Sequence, residues 1–414
     1  MNVLLVHNFY QQPGGEDHVF ADEAALLRSA GDHVETFSVH NSAVESMGKL
    51  TVAAKTIWNR EEIAAVADAA RACRAEVVHF HNTFPLISPG AYQAAAATGA
   101  AVVQTLHNYR LLCPSATMYR DGQVCEDCVG KAFAWPAVAH ACYRDNRAGS
   151  AAVAAMLTVH KARGTWQKDV DAYIALTDFA RQKFADCGLP ADRLFVKPNF
   201  VDPDPGIGSG QGDDHGPFAI FVGRLTHEKG IDPLLNAWKR VGKQLPLKIL
   251  GDGPLRDDVT SAVANNPAIE YLGRQPMDRV LSMLGQAKLL VFPSVWYEGL
   301  PRTIVESFAK GTPVIASRLG SMIELVQDGC NGFHFVPGDA DDLARTVLQA
   351  STAGDELRRG ARRTFEEKYA PSPNYETLKS VYQAAIERRA SRSIDVRSEK
   401  PVETRSTTLA ADGN

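Results

Sequence analysis

The chain has 414 residues, of which 45% are hydrophobic and 22% charged, and a formal net charge of -4. This length predicts two domains of roughly 200 residues each, and the slightly acidic balance argues against nucleic acid as a partner. No run of about 18 apolar residues occurs, so the sequence predicts no transmembrane helix. The seven cysteines do not suggest a disulfide framework, because their number is odd.

The N-terminal half alternates short apolar runs with helix-like segments, which predicts a parallel sheet covered by helices on both faces. The first run, Val3 to Val6, is continuously apolar, as in a strand buried on both sides. The start of the chain lacks the charged region of a signal peptide, so we expect a cytoplasmic protein. The predicted strands are 3–8, 33–39, 76–81, 101–107 and 172–177.

Glycine and histidine residues at the ends of these strands are candidates for one side of a ligand site. Gly14 and Gly15 follow the first strand, where a glycine pair lets the backbone approach a phosphate or a sugar. A plain turn explains this pair equally well. His107 ends the strand 101–107, and His79 and His81 end the strand 76–81. From the residues alone, all three histidines can also be structural.

A cysteine-rich insertion at about 110–145 follows the strand 101–107. Its four cysteines form a Cys-x11-Cys-x2-Cys-x13-Cys pattern, with a hairpin-like turn at Asp121-Gly122. Four cysteines at such spacing suit a structural zinc ion, but free thiols or a disulfide fit the pattern as well. The cysteines are Cys113, Cys125, Cys128 and Cys142.

A segment rich in glycine, proline and aspartate at 202–217 predicts a linker, after which the strand and helix pattern resumes. We therefore predict one domain at 1–202 and a second at 203–370, with a ligand cleft between the carboxyl ends of the two sheets. The predicted strands of the second domain are 218–222, 247–250, 269–272, 289–292 and 314–316, and its predicted helices include 233–241 and 300–309.

The end of the chain predicts a terminal helix at 371–390. Residues 391–414 contain no aromatic side chain and many serine, threonine and charged residues. Such a segment cannot bury enough apolar surface to fold, so we predict a disordered tail at 391–414.

The segment 291–306 joins a buried strand to a helix and carries two carboxylates. Glu298 lies in the loop and faces the predicted cleft, whereas Glu306 lies about two helical turns further on. Gly299 permits close backbone approach, and free N–H groups at the helix start, near Leu300, form an anion site. Carboxylates accept hydrogen bonds from sugar hydroxyls, although two glutamates on a helix are more often solvated charges.

A second loop carries two cations five residues apart. Arg224 and Lys229 follow one predicted strand and precede a helix. An arginine and a lysine in such a loop can together neutralise a diphosphate. The alternative is a solubilising surface loop.

These segments together resemble the retaining glycosyltransferases of family 4. The resemblance is closest over 294–317, which reads SVWYEGLPRTIVESFAKGTPVIAS and contains the Glu-x7-Glu motif of that family. It implies that Glu298 contacts the donor sugar and that Glu306 binds the nucleotide ribose. The backbone near Gly299 and Leu300 would then bind the distal phosphate.

The resemblance also assigns roles to other loops of the second domain. It implies that Arg224 and Lys229 clamp the donor diphosphate. Gly253 matches the Gly-x-Gly-Pro loop of the family, and Arg274 lies in the segment whose backbone meets the nucleotide base. Base identity is not readable from these residues.

On the N-terminal side, Gly14 and Gly15 resemble the glycine loop that the family places beside the donor. His107 matches a family histidine near the donor sugar and the acceptor. The resemblance implies the GT-B fold, in which two Rossmann-like, doubly wound α/β domains face each other across a cleft. It also implies a retaining transfer without a catalytic metal, in which the donor phosphate assists deprotonation of the acceptor.

The implied activity is hexosyl transfer from a nucleotide-diphosphate sugar to a glycan or a polyprenyl-linked saccharide in bacterial cell-surface polysaccharide biosynthesis. A synthase acting on a small soluble sugar and a non-catalytic sugar-nucleotide-binding protein are the alternatives. No catalytic cofactor is implied. We also expect a peripheral contact with the inner face of the plasma membrane, unless the residues concerned are ordinary core and surface positions. These residues are Phe133, Trp135, Lys161, Arg163 and Trp166.

Overall fold

The computed structural model of this chain describes residues 1–11 and 14–398. Two six-stranded sheets follow each other along the described chain, and their strands pair in parallel. Helices cover both faces of each sheet. The predicted fold of two doubly wound α/β domains is therefore confirmed.

The first sheet takes up the N-terminal half. The strands of this half are β1 (Asn2–Phe9), β2 (His33–His40), β3 (Val77–Asn82), β4 (Ala101–Leu106), β5 (Tyr119–Arg120), β6 (Gln123–Val124), β7 (Ala172–Ala175) and β8 (Leu194–Val196). The order in the sheet is β2-β1-β3-β4-β7-β8. The short β5 and β6 form an antiparallel hairpin around the predicted turn at Asp121-Gly122.

Helices bury both faces of this sheet because alternate strand residues point to opposite sides. Val78 and Tyr173 belong to one apolar cluster, and Leu5 and Ile174 to the other. The helices of this half are α1 (Gly15–Ser29), α2 (Lys49–Ile57), α3 (Arg60–Ala72), α4 (Gly90–Ala97), α5 (Trp135–Ala139), α6 (Arg147–Arg163), α7 (Thr165–Lys168) and α8 (Asp178–Asp186).

The second sheet has the order β11-β10-β9-β12-β13-β14. Its strands are β9 (Ala219–Val222), β10 (Leu247–Leu250), β11 (Ile269–Gly273), β12 (Leu289–Phe292), β13 (Val314–Ser317) and β14 (Gly332–Phe335). The later helices are α9 (Ile231–Val241), α10 (Arg256–Asn265), α11 (Met277–Gln286), α12 (Arg302–Ala309), α13 (Met322–Leu325), α14 (Ala340–Ser351), α15 (Glu356–Lys368) and α16 (Pro371–Ser398).

Two strands of the sheets, β8 and β14, are not predicted by the sequence pattern. β8 has three residues, and β14 begins with Gly332 and carries His334. Both lie at the outer edge of their sheets, where strands are less fully enclosed by other strands. The apolar run of β8 is too short to be recognised as a buried strand, and His334 interrupts that of β14.

The segment between β8 and β9 contains the predicted linker and lies along the second sheet's helices. Asp204 accepts a hydrogen bond from Arg362 of α15 at 2.8 Å. Gly208 lies so close to Gly285 of α11 that a β-carbon on Gly208 would be 2.2 Å from the backbone there. Although its composition is typical of a flexible linker, this segment is fastened to the second domain.

After α15 the chain returns to the first sheet. Leu378, Val381 and Tyr382 of α16 are fully buried in the same cluster as Val3 and Leu5 of β1. The outgoing and returning segments touch where they cross between the sheets, because the Val201 N–H donates to the Tyr369 carbonyl at 3.2 Å. The C-terminal helix is thus a structural part of the N-terminal half.

The helix α16 continues to Ser398, so it extends beyond residue 390, where the sequence pattern placed its end. Arg389 and Arg392 bind the fully buried carboxylate of Asp171 at 2.6 and 3.3 Å. This ion pair anchors the end of the helix, and a sequence pattern cannot reveal it. The rest of the predicted tail, 399–414, lies outside the described residues.

The residues predicted to contact a membrane are not all at the surface. Phe133 and Trp135 are 40% and 59% exposed, whereas Trp166 is 5% exposed and packs in the apolar core. The prediction is therefore wrong for Trp166, whose short helix lies beneath α6. None of the helices in the described residues combines the length and the apolar composition that crossing a bilayer needs.

Candidate active site

The strand order of each sheet reverses at one point and opens a crevice there. In the second sheet the chain runs outward from β9 to β11 and then crosses to β12 on the other side of β9. Loops that follow the two adjacent strands diverge at such a point, which is where open α/β sheets bind ligands. In the first sheet β1 and β3 form the equivalent pair.

A cleft of about 400 Å³ lies between the loops of the two sheets, and its volume is in the range of small-ligand sites. The predicted site residues in its lining are Gly14, Gly15, His107, Arg224, Lys229, Glu298, Gly299 and Leu300. Three other predicted residues, Gly253, Arg274 and Glu306, are outside this lining.

Glu298 is the most strongly held side chain of the cleft. It is 6% exposed, and its Oε1 accepts hydrogen bonds from Lys229 Nζ at 2.7 Å, Ser294 Oγ at 2.6 Å and Trp296 Nε1 at 2.7 Å. A buried carboxylate needs such compensation for its lost hydration. Since all three bonds reach Oε1, the other oxygen can accept from a ligand.

Backbone contacts bring the two motif loops together. Gly230, which follows Lys229, has a φ of 75°, and a β-carbon there would be 1.9 Å from the Pro293 carbonyl. Glycine is therefore required both by the left-handed backbone and by the close packing. The Val295 N–H also donates to the Glu228 carbonyl at 2.9 Å. These contacts set the Lys229 ammonium against the Glu298 carboxylate.

The positive side of the cleft is completed by Arg224 and the start of α12. Arg224 is exposed and, within the described chain, makes no ion pair. α12 begins at Arg302, so the predicted start near Leu300 or Pro301 is slightly early; Pro301 is the extended capping residue. The first free helical N–H groups are those of Arg302 and Thr303, which both line the cleft and form an anion site.

Gly299 packs closely against the first half. A β-carbon on Gly299 would be 2.8 Å from the carbonyl oxygen of His107. The Tyr109 hydroxyl, also in the first half, donates to the Glu298 carbonyl at 3.3 Å. The sequence suggested that Gly299 lets a ligand approach the backbone. In the structure, the lack of a side chain at Gly299 also leaves room for the backbone at the end of β4.

Glu306 lies below the cleft and is held by an ion pair. It is 3% exposed, and Arg302 Nε donates to its Oε1 at 2.9 Å. The same guanidinium binds Asp22 of α1 at 2.6 Å, so Arg302 bridges the two halves. Burial raises the pKa of the Glu306 carboxyl, while Arg302 acts in the opposite direction.

A chain of buried groups leads from the interior of the first sheet to His107. His107 Nε2 is 3.0 Å from His81 Nδ1, and the other nitrogen of His81 is 3.5 Å from the Glu23 carboxylate. Burial and the neighbouring His79 lower the pKa of His81 to about 4, and burial and His81 hold that of His107 well below its usual range. Both rings are therefore neutral near pH 7, and Glu23 favours the tautomer in which His107 donates to His81.

Glu23 is the charged centre of this chain. Burial alone would raise the pKa of its carboxyl, but Lys197 and His79 hold it well below the ordinary value. Lys197 Nζ lies 2.9 Å away. Glu23, His79 and His81 have ligand atoms within 4.8 Å of one another, a spacing that a metal could use. Because the Lys197 ammonium already balances the carboxylate charge, we interpret the group as an internal ion pair.

Of the remaining predicted residues, the glycines have structural roles. Gly14 caps α1, and its N–H donates to Asp17 at 2.7 Å; Gly15 begins that helix. Residues 12 and 13 of the same motif lie outside the described residues. A β-carbon on Gly253 would be 2.5 Å from the Leu225 carbonyl, so Gly253 packs the neighbouring loop. Arg274 is exposed just after β11.

The polar residues of the cleft lining that sequence reasoning missed include Tyr10, Glu16 and Asn199. Burial raises the pKa of the Glu16 carboxyl to about 7; a hydrogen bond with Tyr10 opposes this rise, and the charge of Asp17 adds to it. Perturbed carboxyls in clefts are candidates for functional groups. The position of Glu16 next to Gly15 was the only available signal.

Two family models match the chain. "Glycosyltransferase Family 4" matches residues 13–205, and "Glycosyl transferases group 1" matches residues 209–366. The boundary between the two matches falls in the segment that joins the sheets. The predicted family is thus confirmed over both halves.

Known proteins and solved structures are similar to this chain. An uncharacterized glycosyltransferase of Methanocaldococcus jannaschii is 36% identical over 144 residues, which are 34% of this chain and 40% of that protein. The matches span less than half the length of the curated relatives. Anabaena HepE in complex with UDP shares the fold, with 17% identity, a TM-score of 0.63, and coverage of 93% of this chain and 100% of that chain. A sucrose-phosphate synthase from Thermosynechococcus elongatus has 16% identity, a TM-score of 0.64, and coverage of 92% and 98%.

We predict that Glu16→Gln makes the protein more stable at pH 8 and leaves its stability nearly unchanged at pH 4.5. The folded pKa of about 7 exceeds the ordinary 4.5, so the folded state binds more protons and loses stability as pH rises through this window. The amide removes a penalty on the order of 1–3 kcal/mol. Chemical denaturation at the two pH values measures the difference.

Glu23→Gln is the matched control on the same helix. The pKa of the Glu23 carboxyl is lowered, so the ionised group stabilises the fold at pH 8. Replacing it by an amide leaves Lys197 buried without a counter-charge. We expect a loss of about 3–5 kcal/mol at pH 8. Destabilisation by Glu16→Gln at pH 8 would contradict the assignment.

Proposed function

Because the chain belongs to the glycosyltransferases of family 4 and group 1, we propose that it transfers a sugar from a nucleotide-diphosphate sugar to an acceptor hydroxyl. The observation that carries this proposal is the buried Glu298 carboxylate, held by Lys229 in a cleft that both sheets line. Retention of the anomeric configuration is part of the proposal and follows from the family resemblance.

The donor diphosphate fits the positive side of the cleft. Lys229 uses one of its three N–H donors on Glu298, so two remain for phosphate oxygens. Arg224 can add a bidentate contact, and the N–H groups at the start of α12 can bind the distal phosphate. These groups stabilise the leaving diphosphate without a divalent metal.

The donor sugar is expected beside Glu298. Its free oxygen can accept from a sugar hydroxyl and stabilise positive charge that develops at the anomeric carbon. His107, on the opposite wall, is neutral and held by His81, so it can orient a hydroxyl without adding charge. We expect positioning and electrostatics to dominate over a strong base.

The ribose is expected near Glu306. Its Oε1 is occupied by Arg302, which also reaches Asp22. Ribose binding at Glu306 would therefore use its other oxygen or displace the guanidinium. We also propose that the backbone of the segment around Arg274 contacts the nucleotide base. UDP is the first nucleotide to test, because HepE was solved with it.

The acceptor that we propose is a glycan or a polyprenyl-linked saccharide in bacterial cell-surface polysaccharide biosynthesis. A synthase with a small sugar acceptor is the second candidate, favoured by the shared fold of the sucrose-phosphate synthase. A purely nucleotide-binding protein would not need a desolvated carboxylate beside the sugar position, since such a group is costly to bury.

The protein would meet a lipid-linked acceptor at a membrane surface. One face of the first half has side chains that suit contact with such a surface. The exposed Phe133 and Trp135 lie beside α6, because Lys161 donates to the carbonyl of Lys131 at 3.3 Å. Aromatic and basic side chains together favour the headgroup region of anionic lipid. We propose a peripheral contact through this face.

We predict that Arg224→Ala weakens binding of UDP, or of whichever nucleoside diphosphate binds best, while the fold stays intact. The loss of one charge-assisted contact costs about 1.5–3 kcal/mol, a weakening of about 10-fold to 150-fold. Calorimetry with UDP, GDP and ADP measures it. Lys239→Ala, an exposed cation on α9, is the control; equal affinities for the two variants would reject the clamp.

We predict different kinetic defects for the two carboxylates. Glu298→Gln should lower kcat about 100-fold with little change in nucleotide affinity, because only the charged group stabilises the transition state. Glu306→Gln should mainly raise the donor KM. Steady-state kinetics and nucleotide titration separate the two effects. Full turnover by Glu298→Gln would make that residue structural and remove the basis of the proposal.

We predict that sugar transfer persists in excess EDTA during a short assay, because protein cations and a helix start hold the leaving group. The rate of transfer with and without chelator is the measurement. Immediate loss of transfer that Mg²⁺ or Mn²⁺ restores would show that a divalent metal is needed, and the metal-independent mechanism would be wrong.

We predict that the protein floats with vesicles containing anionic lipid and that Phe133→Ser together with Trp135→Ser reduces this binding. Removing two exposed aromatic side chains lowers the apolar area that can enter the headgroup region. Ile207→Ser, at an exposed apolar residue outside this face, is the control. No flotation of the unmodified protein would favour a soluble acceptor.

A further inference from the structure

The insertion between β4 and α6 gathers four side chains that the proposed reaction does not use. The thiols of Cys113, Cys125, Cys128 and Cys142 line one cavity. Its volume of about 10 Å³ has room for about one atom-sized sphere. The cavity therefore suits a single ion and excludes an organic ligand.

The backbone of the insertion turns each cysteine toward this cavity. The β5–β6 hairpin brings Cys125 next to Met118, whose carbonyl accepts from the Cys125 N–H at 2.8 Å. The Val129 N–H donates to the Glu126 carbonyl at 2.9 Å, which closes a tight turn over Cys125 and Cys128. Such a Cys-x2-Cys turn is the usual half of a four-cysteine zinc site.

We propose that these four cysteines bind one zinc ion as a structural site. Four thiolates around Zn²⁺ carry two net negative charges, and the Arg120 guanidinium in the same cavity lining can offset part of that charge. Ser115 Oγ is 3.1 Å from the Cys113 sulfur and can act as an outer-shell donor. All four thiols are free of disulfides.

Zinc binding also requires rotation of the cysteine side chains. In the described residues, no three of these sulfurs all lie within 4.8 Å of one another, whereas zinc-bound sulfurs lie about 2.3 Å from the metal. A cysteine sulfur moves by rotation about a single χ1 bond. The proposal therefore includes rotation of these side chains onto the ion.

The position of the site gives the ion a role in the cleft. Glu126, between the paired cysteines, binds Lys183 at 2.5 Å, and Lys183 Nζ lies 5.3 Å from the centre of the Tyr297 ring. The Cys113 N–H donates to the carbonyl of Tyr109, whose hydroxyl reaches the Glu298 carbonyl. The zinc site would thus hold the insertion against both sides of the Glu298 loop.

The test measures zinc in the full-length protein, purified under reducing conditions from zinc-sufficient medium. Elemental analysis should find about one zinc per chain, and titration with a mercurial should release it as the thiols of the cluster react. The double variant Cys125→Ser/Cys128→Ser should retain less than about a tenth of the zinc. Cys187→Ser and Cys330→Ser, at cysteines outside the cavity, should retain it.

Limited proteolysis of the same samples distinguishes a local loss of structure in the insertion from misfolding of the whole variant. The double variant should be cut faster between residues 113 and 142, with unchanged cleavage elsewhere. Zinc-poor wild-type protein, a disulfide within the cluster, or equal zinc in the double variant and the controls would overturn the proposal. Zinc content does not depend on sugar transfer, so this result stands apart from the proposed activity.

Discussion

One oxygen atom of Glu298 accepts three hydrogen bonds, and the loops of the second sheet are arranged around it. An ionised carboxylate with so little exposure is tolerated only when donors replace its water. Lys229 can serve as a donor because Gly230 turns the chain tightly beneath Pro293. The peptide carbonyl of Glu298 is held in turn by Tyr109 and Ser321, so one residue connects the chemistry of the cleft to both halves of the chain.

The helix α1 is one of the elements through which the first half reaches the cleft, and its acidic residues occupy different environments. Glu16 is partly buried without a strong cationic partner and holds its proton up to about neutral pH. Glu23 is fully buried but faces Lys197 and is ionised. Asp22 reaches across the cleft to Arg302. Burial and the nearest charge, rather than residue type, decide the state of each carboxyl.

The sequence was sufficient for most strands and for the two cleft motifs, because these features are local. Continuous apolar runs mark the buried strands, and the spacing of Glu298 and Glu306 is visible within one short segment. Pairs such as Glu23 with Lys197, Asp171 with Arg389, and Asp22 with Arg302 are separated by 174, 218 and 280 residues. No periodicity connects residues at such distances, so the ion pairs that hold His107, the C-terminal helix and Glu306 had to come from the structure. The prediction of a membrane contact was wrong for Trp166 for a related reason, since composition does not tell which face of a helix is buried.

The return of the chain to the first sheet has a mechanical consequence. The backbone crosses twice between the halves. The two crossings lie side by side and are joined by the hydrogen bond from the Val201 N–H to the Tyr369 carbonyl. We expect two neighbouring crossings to act as a hinge. Such a hinge permits the sheets to rotate apart about one axis and resists sliding and twisting. The ion pair between Arg302 and Asp22 is a further connection between the two halves. Rotation that opens the cleft to the proposed nucleotide donor therefore has to break this ion pair, while the two crossings and the C-terminal helix stay in place.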